Sequence, residues 1–99
     1  MHVLTVCYGH PTDPAAFDEH YNSTHVPLAS KIPGVSSYTW RHCASLDDNP
    51  PPYFMVAELS WPTQAAMGAA MSSPEAQAAV ADVPNFASGG VTMFVAYDE

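Results

Sequence analysis

Four short stretches of the chain run apolar with β-rich composition, and the segments between them repeat their apolar residues at steps of three and four. HVLTVCY (His2–Tyr8) alternates and stops at Gly9-His10-Pro11, the signature of a first strand and its turn. VSSYTWRHC (35–43), YFMVAELSW (53–61) and VTMFVAY (91–97) are the other three candidate strands. The loop between the second and third carries Asp47-Asp48-Asn49 and three consecutive prolines, which rules out a two-residue hairpin. Between the first two strands, Phe17, Tyr21, His25, Leu28 and Ile32 fall on one face of a predicted helix. Asp13 supplies the N-cap, Pro14 suits the first helical position, and Pro33-Gly34 marks the end. A second helical region opens at Pro62-Thr63, but Ser73-Pro74 repeats the cap-and-proline signal, so two short helices meet near Ser73 and end at Pro84-Asn85.

The order β, α, β, β, α, β with right-handed crossovers predicts a four-stranded antiparallel sheet of order 4-1-3-2 with both helices on one face. This is a ferredoxin-like α+β sandwich, expected to fill one domain over residues 1–99. Leu4, Val6, Met55, Ala57, Leu59, Met93 and Val95 are assigned to the helix side, and Val3, Cys7, Phe54, Val56 and Phe94 to the other. A strand covered on one face only should alternate apolar with polar, and these mostly do not. The second face therefore calls for a partner, and a homodimer packed sheet against sheet is expected. Thr5, Glu58 and Thr92 interrupt that apolar face and would line any cavity enclosed between the two sheets.

Composition narrows the function. Ten acidic residues against Lys31 and Arg41 give a formal charge of −8, which argues against nucleic acid and anionic membranes as partners. The first residues lack the basic start of a signal peptide, and no apolar run approaches the ~20 residues of a membrane span, so a cytoplasmic protein is expected. Cys7 and Cys43 show no metal-type spacing and lie on strands separated by a third, so they are expected to be reduced.

The chemistry centres on His25, an imidazole in an apolar stripe. Pro27 cannot donate to the carbonyl of Ser23, so the helix must kink, tighten or open beside this histidine. His25 is then either a core residue satisfied by a freed carbonyl or a proton donor or acceptor at the end of a pocket. Tyr21, one turn earlier on the same face, would position a carbonyl or hydroxyl. His20 lies roughly 140° away around an unbroken helix and joins the site only if the helix unwinds. Glu58 reads as a base, an orienting partner or, foremost, the counter-ion of Arg41. Tyr38, Trp40, Phe54 and Phe94 would form an aromatic wall or ordinary packing. His20 and His25 are five apart instead of the four that aligns two metal ligands on a helix, and no glycine-rich phosphate loop is present, so neither metal nor cofactor is expected.

The strings His20-Tyr21, His25-Val26-Pro27-Leu28 and Ile32-Pro33-Gly34, followed by Ala57-Glu58-Leu59, Ser73-Pro74-Glu75, Asn85-Phe86-Ala87 and Gly89-Gly90, resemble the EthD family of the dimeric α+β barrel superfamily. The resemblance implies a ferredoxin-like protomer, a dimer with facing sheets and a small hydrophobic ligand cavity in each subunit. It leaves the chemistry open among cofactor-free oxygenases, cyclases, decarboxylases, dehydratases and isomerases. Two readings follow. One is cofactor-independent proton transfer by His25 on a small hydrophobic, aromatic or polyketide-like molecule; the other is a non-catalytic binding or accessory protein of a degradation or biosynthetic pathway.

Overall fold

The computed structural model describes residues 1–98. Strands β1 (His2–Tyr8), β2 (Ser37–His42), β3 (Met55–Trp61) and β4 (Val91–Tyr97) form one antiparallel sheet in the order β2-β3-β1-β4, the predicted order read from its other edge. Register fixes the two faces. Val6 lies opposite Ala57 and Met93, and Leu4 opposite Leu59 and Val95, all on the helix side. Thr5 lies opposite Glu58 and Phe94, on the side without helices.

The helix layer begins at α1 (Pro14–His20), where the Asp13 carboxylate accepts from the Ala16 N–H at 3.1 Å. It continues through a π-helical turn (Tyr21–His25) into α2 (Val26–Ala29). Helical bonding stops before the predicted Pro33-Gly34, because residues 30–34 form a separate turn. In it the Ile32 N–H returns to the Ala29 carbonyl at 3.1 Å, the Trp61 indole N–H holds the Pro33 carbonyl at 3.1 Å, and Gly34 takes φ +70°. The predicted break of the second helical region is present. Thr63 caps α3 (Gln64–Met71), and Ser73 caps α4 (Pro74–Asp82), which ends in a 3₁₀ turn (Val83–Asn85).

Trp61, Tyr8, Tyr21, Phe17 and Met55 are fully buried between helices and sheet, each worth about 1.5–3 kcal/mol in area removed from water. Phe54 belongs to this layer and not to the opposite face where strand alternation places it. It lies in the bend ahead of β3, so strand parity does not govern it, and its ring packs edge-on to Phe17 at 5.0 Å. The helices leave β4 uncovered: Val91, Met93, Val95 and Tyr97 are exposed on the helix side, as is Phe94 on the other. Gly9 and Gly89 approach so closely that a side chain on either would strike the other loop's backbone. Both cysteines are free, Cys7 buried on β1 and Cys43 half-buried one residue past the end of β2, with β3 between those strands.

Candidate functional site

The π-helical turn is the local opening that Pro27 demands. Residue 27 has no N–H to offer Ser23, and one step earlier the Val26 N–H reaches back five residues to the Tyr21 carbonyl instead of four. A five-residue turn carries residues five apart toward the same side, so His20 and His25, which an α-helix would separate, meet on one partner. That partner is Asp82, the last residue of α4. Its Oδ2 accepts from His25 Nδ1 at 3.0 Å, its Oδ1 from His20 Nε2 at 2.9 Å, and the Asn85 amide donates to Oδ1 at 3.1 Å. Phe86 packs against both imidazoles, with its ring centroid 5.3 Å from His20 and 4.8 Å from His25.

His25 is 5% exposed and Asp82 6%. Burial disfavours the imidazolium and outweighs the attraction of Asp82, so the pKa of His25 lies below its ordinary value. Burial also works against the Asp82 carboxylate, but the hydrogen bonds from Asn85, His20 and His25 prevail and hold its pKa below the usual carboxylate range. His25 is thus neutral near pH 7, with Nδ1–H donated to Asp82 and the lone pair at Nε2 left over. Among the described residues Nε2 makes no hydrogen bond, and no buried polar side-chain atom is left sealed without a partner. The freed-carbonyl reading of His25 is replaced by a carboxylate contact.

His25 and Tyr21 line an apolar cavity between the helix layer and the sheet, together with Tyr8, Tyr38, Ala29, Ile32, Ala57 and Leu59. Its wall reaches the surface at Val80 and Met93, both of which are exposed. The cavity measures about 50 Å³, room for a few waters or a small fragment of a ligand. The Tyr21 and Tyr38 hydroxyls lie 2.6 Å apart, and burial, first among the causes, raises the pKa of each, so both are neutral donors.

The candidate ligand-binding residues divide between the two faces. Tyr38 lines the cavity, and Trp40 stands behind it, 4.8 Å from the Tyr38 ring and 5.9 Å from Tyr21. Phe54 packs on Phe17. Thr5, Glu58, Thr92 and Phe94 lie on the opposite face, away from His25. Glu58 stands 4.0 Å from Arg41, with the Arg41 side chain largely and the Glu58 side chain about half in water, a pair worth little energetically. Asp82 is the member of the site that the sequence motifs miss, although a signal exists. Ala76, Ala79 and Asp82 recur at steps of three along the buried face of α4, so a charge interrupts an apolar stripe there as His25 does in the first helix.

The family model described as EthD domain matches residues 9–90. The chain belongs to the EthD family. It is 52% identical, over the whole of its length and 96% of the relative's, to a Rhodococcus erythropolis protein described as an uncharacterized 11.0 kDa protein in the thcB-thcC intergenic region. An EthD family protein from Bacillus halodurans superposes with TM-score 0.92 at 28% identity, covering 100% of this chain and 99% of that one. A dimeric ferredoxin-like protein of unknown function from Thermobifida fusca shares the fold, with TM-score 0.71 at 14% identity over 99% of this chain and 92% of that one. In this EthD protein the Asn85-Phe86 pair has a physical role: Asn85 holds Asp82, and Phe86 contacts both histidines.

Proposed function

We propose that this EthD protein binds a small uncharged molecule in the cavity beside His25 and moves a proton to or from it without a cofactor. The observation that carries the reading is a neutral imidazole at the cavity wall, fixed through Nδ1 by a buried carboxylate with Nε2 free. In such a pair the carboxylate sets the tautomer and steadies the imidazolium that forms when Nε2 accepts a proton. The Tyr21–Tyr38 hydroxyl pair supplies a donor for a carbonyl or hydroxyl oxygen on the ligand, and general acid–base catalysis of this kind typically contributes 10²–10⁴-fold. Neither Lys31 nor Arg41 lines the cavity, so the ligand is neutral, and a molecule of aromatic size must extend toward the mouth at Val80 and Met93.

A panel of simple compounds can test this while the natural substrate is still unidentified. Small ketones and phenols are incubated with the protein in D₂O, and exchange of the acidic carbon-bound hydrogens is followed by NMR. Wild type should accelerate exchange for at least one compound that it binds. His25→Asn, whose amide still donates to Asp82 but holds no basic nitrogen, should bind that compound with similar affinity and lose the acceleration. Binding without exchange across the panel would favour the second reading, a protein that holds such a molecule for another component of its pathway.

A further inference from the structure

Asp82 is a single carboxylate serving two histidines that face different spaces. His25 lines the inner cavity. His20, whose side chain is 30% exposed, lines a separate surface cleft with Asp13, Thr12, Asn85 and Ser88. We infer that His20 is a positioning residue that sets the proton affinity of His25 from the surface, because both imidazoles draw on one buried negative charge. If His20 carries the proton, the Asp82 charge is already matched and a second imidazolium at His25 gains little. If His20 is neutral, the whole carboxylate is available to stabilise His25 once it has taken a proton from its ligand. What His25 can draw from the Asp82 charge therefore depends on what His20 draws from it.

The surroundings leave few competing charges. Around His25, α4 contributes Asp82, its own turn Tyr21, and the sheet Tyr8 and Tyr38, while β3, β4 and α3 present only apolar side chains to the cavity. Around His20 the charged groups are Asp82 and the Asp13 carboxylate that shares its cleft. Among the described residues, Asp82 is the one carboxylate hydrogen-bonded to either histidine. The inference rests on His25 being the working group of the cavity, but its test reads protonation alone, so it can fail while ligand chemistry is found, and survive where no substrate turns over.

The experiment is a ring-nitrogen NMR titration of both imidazoles in the full chain between pH 4 and 8. In the wild type the His25 curve should be broader than a one-proton titration, because its claim on the Asp82 charge changes while it titrates. In His20→Gln, whose amide still donates to Asp82, the His25 curve should narrow to a one-proton titration and its proton affinity should rise at least about threefold. His42→Gln provides the control, since His42 pairs with Asp18 at 2.8 Å outside the cluster, and it should leave the His25 curve unchanged. A one-proton His25 curve in the wild type would overturn the inference. So would an unchanged His25 midpoint in a folded His20→Gln protein. The wild-type curves decide the matter even if that variant fails to fold.

Discussion

Asp82 carries a charge to the C-terminal end of α4, where the helix dipole already disfavours an anion, and it does so almost out of reach of water. Three donors offset that cost, and removing the acceptor would strand them. Asp82→Ala should therefore cost about 2–4 kcal/mol, read as a lowered urea midpoint, whereas a loss below about 1 kcal/mol would show that His20, His25 and Asn85 find other partners. The same burial gives stability a defined pH dependence. His25 has a depressed pKa in the folded protein, so the unfolded chain takes up the proton first as the pH drops below the ordinary value of about 6.5. Its contribution is thus present above that pH and is lost on acidification. Asp82, also depressed, adds a further loss below its ordinary value of about 3.8. Thermal midpoints should fall as the pH drops from about 6.5 to about 5, and His25→Asn should flatten that part of the profile relative to wild type. Parallel profiles for the two proteins would show that protonating His25 costs the fold nothing.

At the scale of the element, the π-helical turn converts a helix flaw into a shared site. Pro27 makes an irregularity beside His25 readable in the sequence, because a missing donor has only a few structural outcomes. The partner on which that outcome brings the two rings together is Asp82, 57 positions beyond His25 and invisible to local periodicity, so the sequence supports the pairing of His20 with His25 only as a condition. The strand assignments, the Asp13 and Ser73 caps and the break between α3 and α4 are legible for the opposite reason: each is decided by a few neighbouring residues. Phe54 and the end of the first helix depart from the expected pattern where a turn overrides it. Pro27→Ala restores the donor to Ser23 and favours an α-helical register, which would swing His20 away from Asp82. The expected result is a changed ring-nitrogen environment for His20 in NMR spectra, with overall helicity the same or higher. Unchanged spectra would show that packing of Tyr21 and His25, and not the proline, holds the turn open.

On the scale of the whole molecule, the sheet is half covered, and its uncovered parts carry apolar side chains among a few polar ones. The helices shield one face of β1, β2 and β3 but leave the edge strand β4 in water on both sides, and Phe94, midway along it on the face without helices, is 50% exposed. Apolar area left in water costs about 25 cal/mol per Å², so a second copy packed over Val3, Val56 and Phe94 would recover several kcal/mol. Two-fold packing also suits this acidic chain, since the uncovered face holds Glu58 and Arg41 close to each other and little other charge. We therefore expect light scattering at micromolar concentration to give twice the chain mass of 10.6 kDa. Phe94→Glu should shift that equilibrium to the single chain, because it puts a charge where the expected interface would bury it, while leaving the cavity on the far side of the sheet and its His25 titration intact. A wild-type protein that stays monomeric at those concentrations would end the facing-sheet assembly. A Phe94→Glu variant that remains dimeric would move the interface elsewhere, to the exposed helix-side strip of β4 formed by Val91, Met93, Val95 and Tyr97, which runs past the mouth of the cavity.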